Sequence, residues 1–152
     1  MINRLLIICL IAFVSCKQET NKLVDNQLRL PNGYIYKNHT NIAGQKAKKD
    51  QIVTIDFQIV DDFNEILSDS RKAGIKPTVR VPDHLHEDSR RNPLLGLIQE
   101  MVIGDSATVY VPVDSLKTPP EKFLHSENLE YRVKVLNIEN QEVYMDRIGA
   151  AQ

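Results

Sequence analysis

Alternating apolar and polar residues predict a domain built mainly from β-strands. Between residues 52 and 59 every second side chain is apolar or aromatic, the pattern of a strand with one buried face. The same alternation predicts strands over residues 107–111 and 129–135. Shorter patterns predict strands over residues 34–36, 66–67 and 78–81, with polar loops between them.

One helix is predicted among these strands. Asn92 suits the N-cap, Pro93 suits the first helical position, and apolar residues recur at helical spacing from Leu94 to Met101. Gly104 can adopt the left-handed conformation that ends a helix. Strands around one short helix predict the α+β class, with an antiparallel β-sheet curled over one short α-helix.

Composition and charge narrow the class of protein. With 42% hydrophobic residues, the 152-residue chain can bury one compact core and does not resemble a disordered chain. Its formal charge of −1 provides no basic face to neutralise phosphates, so nucleic acid is not an expected partner. We expect one domain over residues 30–139, followed at residues 140–152 by a frayed strand end or mobile extension.

Residues 1–15 have the features of a bacterial signal peptide. Arg4 precedes an unbroken apolar run of ten residues, Leu5–Val14, and a bilayer span needs about 20. Ser15 and Cys16 end this run and resemble a lipobox, in which a small residue precedes a cysteine that accepts lipid. The pattern predicts lipidation at Cys16. The alternative is an ordinary signal cleaved nearby, which would leave Cys16 as a free thiol.

Lipid on Cys16 would anchor the domain to a membrane, because several acyl chains on one residue bind stably. Residues 16–29 are then the lipidated cysteine and a polar tether. Lys17–Glu19 resemble the charged signals that send some Bacteroidetes lipoproteins to the cell surface. The expected location is the bacterial outer membrane, on its periplasmic or cell-surface side.

Five segments resemble, in order, the motifs of the FKBP-type peptidyl-prolyl cis-trans isomerases. Residues 49–57 resemble the family's GDxVxVxY strand, and residues 67–71 resemble its FDSSxxR segment. Residues 93–105 resemble its VIxGWxxxLxxMxxGD helix. The last two segments, Tyr110–Pro112 and residues 129–138, resemble its xIP and LxFxVxLxxI strands. The resemblance implies an FKBP-like domain over residues 30–139.

The resemblance also implies a proline-binding pocket that needs no cofactor or metal. A dry apolar pocket favours the twisted amide, which has lost the charge separation of the planar form. Phe57, Asp69 and Tyr131 would be the catalytic residues, with a backbone N–H near Leu95 as a further polar aid. The other pocket walls would be Leu67, Leu94, Leu95 and Phe123. The implied partners are proline-containing polypeptide segments.

Several positions depart from the family's pocket. The chain has no tryptophan, so Leu94 or Leu95 would stand in its place. Asp69 lies one position late for the family's carboxylate, and Phe123, expected to be an exposed loop aromatic, replaces a loop tyrosine. The alternative is that Phe57, Tyr131 and the two leucines are ordinary core residues and do not line a pocket.

The sequence is compatible with two functions. The first is a prolyl isomerase that assists the folding of exported proteins at the bacterial envelope. The second is a catalytically degenerate FKBP-like binding or chaperone module in an envelope lipoprotein complex, for example a gliding-associated one. A structural lipoprotein with an unrelated small β fold is a weaker third reading.

His84 and His86 are candidate metal ligands. Carboxylates flank the two histidines in a loop that is rich in charged residues of both signs. Zinc or nickel could use such ligands. Two ligands do not close a metal site, so a solvated loop is the favoured interpretation and no metal is expected.

Overall fold

The computed structural model describes residues 26–40, 42–83, 92–119 and 121–150. Within these residues seven strands form one antiparallel sheet: β1 (Gln27–Arg29), β2 (Ile35–Asn38), β3 (Gln51–Asp61), β4 (Ile66–Asp69), β5 (Thr78–Arg80), β6 (Ser106–Pro112) and β7 (Asn128–Asn140). Their order across the sheet is β1-β2-β6-β7-β3-β4, and β5 pairs with β3 beyond the end of β4.

The two longest strands, β3 and β7, form the centre of the sheet. They pair from Gln51 opposite Asn140 to Asp61 opposite Leu129, with a register shift between Thr54 and Ile55. At this bulge β7 carries one extra residue, which bends the strand and increases its twist. The sheet therefore curls, and its concave face is the one that receives the helix.

Helix α1 (Pro93–Ile98) lies against this face. Asn92 caps it, since its side-chain oxygen accepts hydrogen bonds from the N–H groups of Leu94 and Leu95. The helix is shorter than its apolar pattern predicts, because Met101 N–H bonds to the Ile98 carbonyl in a tighter turn. Gly104 has φ +90°, as expected for the residue that stops this segment.

The buried apolar side chains fall into two clusters. The main core lies between the sheet and α1 and comprises Leu30, Val53, Ile55, Val81, Leu97, Ile98, Met101, Ala107, Val109, Val133 and Val135. The loop core lies at one end of β6 and β7, beneath the connection between them, and comprises Val111, Val113, Phe123 and Leu129. Two one-turn 3₁₀ helices in that connection, η1 (Val113–Ser115) and η2 (Glu121–Phe123), close the loop core.

The fold class is confirmed: the sheet is antiparallel and curled, and one short helix packs on it. The residues after the last strand were expected to be a frayed strand end or a mobile extension. This expectation was wrong, because they form helix α2 (Gln141–Gly149). Arg147 explains part of its order, because this side chain pairs with Glu139 on β7 and stacks on Tyr144. Strand β1 falls within the segment expected to be a tether.

The predicted signal peptide, Cys16, His84 and His86 lie outside the described residues. Among the residues that the structure does describe, no helix is both long and apolar enough to cross a membrane.

Candidate functional site

Two aromatic rings meet on the concave face of the central strands. Phe57 of β3 and Tyr131 of β7 are diagonal neighbours, since Phe57 is paired with Val133 and Tyr131 with Ile59. Their ring centroids are 5.9 Å apart and their planes are inclined by 81°, which is an edge-to-face contact. Both side chains are only half-buried. The two positions expected to be catalytic aromatics are therefore in contact, and each keeps some exposed surface.

Tyr34, which immediately precedes β2, extends this aromatic surface. It packs against both the main core and the loop core, as Tyr131 does. Burial raises the pKa of the Tyr131 hydroxyl, and the nearby Tyr34 hydroxyl raises it further. Tyr131 therefore stays neutral near pH 7. Tyr34 was not among the predicted site residues, although its period-two spacing with Tyr36 places both side chains on one face of the strand.

The three predicted leucines lie on two elements, β4 and α1, and differ in what they pack against. Leu67 of β4 packs against the loop core, and Leu94 of α1 packs against the main core. Leu95 is half-buried near the start of the helix. Its N–H, expected to be a polar aid in the pocket, donates to the side-chain oxygen of Asn92 at 3.3 Å. Leu67 and Leu94 thus pack against the same clusters as the rings, while the cap occupies the proposed backbone donor of Leu95.

Phe123 does not lie where the sequence analysis expected it. The expectation of an exposed loop aromatic was wrong, because Phe123 is 0% exposed. The single turn η2, closed by a hydrogen bond from Leu124 N–H to the Glu121 carbonyl, turns the ring into the loop core. Tyr131 and Leu67 pack against that cluster. Phe123 therefore belongs to the cluster that supports Tyr131 and offers no surface to a ligand.

Asp69 lies on the opposite face of the sheet from the rings. It is paired in register with Gln58, whose amide donates to its carboxylate at 2.9 Å. Since Phe57 and Gln58 are consecutive on β3, their side chains point to opposite faces. Leu67 is the extra residue of β4 at a bulge in its pairing with β3, so Asp69 does not share the face of Leu67 although it lies two residues later. The Arg71 guanidinium, 3.0 Å away, lowers the pKa of Asp69 to about 2. The structure thus brings Asp69 together with Arg71 rather than with Phe57 and Tyr131.

Ser70, the residue that follows β4, is hydrogen-bonded to the backbone of Phe57. The hydroxyl of Ser70, a buried side chain, accepts a hydrogen bond from the Phe57 N–H at 2.9 Å. The Ser70 N–H in turn donates to the Phe57 carbonyl. A side chain thus replaces one backbone acceptor just past the end of β4, and it fixes the backbone that carries the ring.

The chemistry available at this site is that of an apolar aromatic surface. Phe57, Tyr131 and Tyr34 supply ring faces and edges, and their neighbours are aliphatic. Such a surface suits an apolar ring of the ligand, and it strengthens the effect of any dipole by excluding water.

Comparison with known proteins gives matches in structure but not in sequence. No protein-family model matches the chain, and no curated protein matches it in sequence. Among solved structures it is similar to the N-terminal domain of FKBP42 from Arabidopsis thaliana, with a TM-score of 0.60 and 15% identity. That match covers 78% of this chain and 96% of the plant domain.

Two bacterial structures show the same similarity. A peptidyl-prolyl cis-trans isomerase from Pseudomonas syringae matches with a TM-score of 0.58 and 15% identity over 78% of this chain and 85% of that one. FkpA from Escherichia coli matches with a TM-score of 0.57 and 12% identity over 77% of this chain. The match spans about half of FkpA, 53% of its chain. The described part of this chain therefore has an FKBP-like fold.

Proposed function

We propose that the domain is a peptidyl-prolyl cis-trans isomerase that assists the folding of exported proteins at the bacterial envelope. The observation that carries this proposal is the half-buried, edge-to-face pair of Phe57 and Tyr131 on the concave face of an FKBP-like sheet. Neither ring is fully covered by the protein, although both pack against the core. A proline side chain of a client would complete this packing.

Catalysis would come from the environment of the amide rather than from a reacting side chain. The planar X–Pro amide carries partial charges on oxygen and nitrogen, and the twisted transition state has lost much of this separation. Tyr131 and Phe57 would hold the proline ring and exclude water, which penalises the planar form more than the twisted one. The neutral Tyr131 hydroxyl adds no charge that would restore stability to the planar form.

An isomerisation assay tests this proposal directly. The full chain, purified in detergent micelles, should accelerate cis-trans exchange in a Leu-Pro tetrapeptide followed by NMR exchange spectroscopy. Tyr131→Leu keeps an apolar side chain but removes the ring, and it should lower kcat/KM by about tenfold, equivalent to roughly 1.4 kcal/mol. An exchange rate equal to that of the peptide alone would overturn the enzyme proposal.

Tyr110→Leu is the matched control for this variant. Tyr110 is also a half-buried tyrosine of a central strand, but its neighbours Val109 and Val111 are fully buried, so its side chain lies on the other face of the sheet. This variant should retain the wild-type isomerisation rate. Equal losses in the two variants would show that the assay reports a general loss of folding, which thermal melting of both proteins would reveal.

A second function is favoured by two specific placements. Phe123 is buried in the loop core, and the Asp69 carboxylate lies on the other face, so two groups expected in the catalytic pocket do not reach it. A domain that binds proline-containing segments without accelerating their isomerisation would fit this geometry. Suppressed aggregation of an unfolded client by the full chain, together with an uncatalysed tetrapeptide rate, would establish this binding module.

The proposed location follows from the sequence. We propose that Cys16 carries the lipid that anchors the domain at the outer membrane, where clients emerge after export. Mass spectrometry of the chain purified from bacterial membranes should show a diacylglycerol-modified cysteine at its N-terminus. Release of an unmodified chain to the soluble fraction would contradict the anchor without bearing on isomerisation.

A further inference from the structure

A groove in the β6–β7 connection lies beside the loop core. It is an open groove of about 580 Å³ at the end of β6 and β7, which is within the size range of ligand sites. Its apolar walls come from the β6–β7 connection and its polar walls from the residues that enter β7. The residues that line it are Pro112, Val113, Asp114, Leu116, Pro119, Leu124, Ser126, Glu127 and Asn128. We call it the loop groove.

The walls of the loop groove are fixed by the backbone. Val113 N–H donates to the Glu127 carbonyl, which joins the two sides of the groove, and Leu116 N–H closes the η1 turn on Val113. On the opposite wall the Asp62 carboxylate accepts hydrogen bonds from the N–H groups of Glu127 and Asn128. The groove is therefore formed before any ligand arrives, which lowers the entropic cost of binding.

Ser126 gives the groove a polar group without a partner. The residue is only 7% exposed, and its hydroxyl is buried without a hydrogen bond within the described structure. Buried hydroxyls are normally paired, because the loss of water is otherwise uncompensated. A peptide backbone laid along the groove carries both donors and acceptors at every residue, and Ser126 is the lining residue that lacks such a partner.

Charge and exposed apolar surface define the partner further. Asp114 and Glu127, both exposed, are the charged residues that line the groove among those the structure describes. Leu124, 59% exposed, presents a large apolar side chain beside them. An apolar surface with two carboxylates at its edge complements a segment that carries apolar and basic residues in alternation.

We propose that the loop groove binds an extended polypeptide segment in which leucine-like residues alternate with lysine or arginine. The segment need not contain proline, and the proposal does not depend on isomerisation. Val113 belongs to both the groove and the loop core, on which Tyr131 also packs, so the two sites are separated by one thin cluster. A long client could therefore occupy both sites at once, which would raise its effective affinity.

Fluorescence anisotropy with three labelled octapeptides tests the proposal on the full chain in detergent micelles. The first peptide alternates leucine and lysine, the second alternates leucine and glutamate, and the third alternates serine and lysine. The first should bind at least tenfold more tightly than either of the others. Equal binding of all three peptides, or no binding of the first, would overturn the proposal.

Charge reversal locates the binding in the groove. The double variant D114K/E127K should reverse the preference, so that the glutamate peptide binds at least tenfold more tightly than the lysine peptide. Both carboxylates are exposed, so the variant should fold. Leu124→Ser should weaken the binding of the leucine–lysine peptide. Its control is Ile103→Ser, which alters an apolar residue that is 50% exposed and lies outside the groove. An unchanged preference in the double variant, or equal losses in the two serine variants, would place the binding elsewhere and refute the proposal.

The proline site is measured in parallel. The groove variants should keep the wild-type tetrapeptide isomerisation rate, while Tyr131→Leu should keep the affinity for the leucine–lysine peptide. Loss of that affinity in Tyr131→Leu would mean that one site binds both ligands, and the second site would be rejected. An absence of isomerisation in every protein would leave the preference of the groove intact and would contradict only the proposed enzyme.

Discussion

The two faces of strand β3 show what holds the domain together and what can act. On the concave face Val53 and Ile55 are fully buried in the main core, and Phe57 continues their row as a half-buried ring. On the convex face Asp56 and Gln58 lie in a network of charged partners. Five residues of one strand thus include a core, a candidate site and a polar surface.

The difference shows how stability and function are divided along the strand. Burial of the apolar side chains in the concave row stabilises the fold. A substitution that shortens one of these side chains loses that stabilisation. The convex network joins exposed basic side chains such as Lys76 to carboxylates, and ion pairs of this kind contribute little. Phe57 is the point where the buried row emerges at the surface, so its ring can serve a ligand without being required for the core.

The largest effect is expected from the buried part of the concave row. Ile55→Ala removes aliphatic atoms from a side chain that is 0% exposed, and it should destabilise the fold by about 2–5 kcal/mol. Urea unfolding followed by circular dichroism would measure the change, with a similar m-value for both proteins.

Thr54→Val, one residue earlier and on the convex face, is the control for Ile55→Ala. The Thr54 hydroxyl is buried and has no hydrogen-bond partner in the described structure, so its replacement by a methyl group of similar shape should be neutral or stabilising. If both variants lose comparable stability, the division between the two faces is incorrect.

An intermediate effect is expected at the edge of the strand. Ser70→Ala removes the acceptor of the Phe57 N–H and leaves that donor unpaired at a buried position. The expected loss is about 1–3 kcal/mol of unfolding free energy, together with faster hydrogen exchange at the Phe57 amide. Ser68→Ala, an exposed position on the same strand, should change neither quantity. Unchanged exchange in Ser70→Ala would show that the hydroxyl does not position the ring.

How far the sequence predicts this molecule depends on whether neighbours along the chain or distant residues decide each feature. The long strands and the Asn92 cap follow from local patterns, so they were predicted. The burial of Phe123 depends on the η2 turn and on packing with Val111 and Leu129. The pattern of residues around Phe123 does not specify these contacts. Helix α2 was missed because its apolar residues are few and its contacts are with β7 and β3.

The position of Asp69 was the least predictable feature of the site. A one-residue change of register moves a side chain to the other face of a strand, and the sequence alone does not fix the register of β4 on β3. The resemblance predicted only the segment, and the observed pairing of Asp69 with Gln58 places its carboxylate on the convex face.

The smallest effect is expected from this carboxylate, and it should depend on pH. Arg71 and then Gln58 hold the folded-state pKa of Asp69 at about 2, below its ordinary value of 3.8. Because the folded state binds the proton less readily than the unfolded chain, the ion pair stabilises the fold above pH 3.8. This contribution is lost progressively as the pH falls from 3.8 through 2. Arg71 is exposed, so the contribution should be small and should weaken with salt.

Asp69→Asn should therefore be less stable than the wild type at neutral pH, and the difference should shrink from pH 3.8 downward and disappear as the pH falls through 2. Arg71→Gln is the matched variant, since it keeps the carboxylate and removes its main partner, and it should show the same loss at neutral pH. Thermal melting between pH 2 and pH 7, at low and high salt, measures these differences. Both variants should retain wild-type isomerisation, because the pair lies on the convex face. A rate loss in Asp69→Asn comparable to that of Tyr131→Leu would instead assign the carboxylate to the site and remove the functional distinction between the two faces of β3.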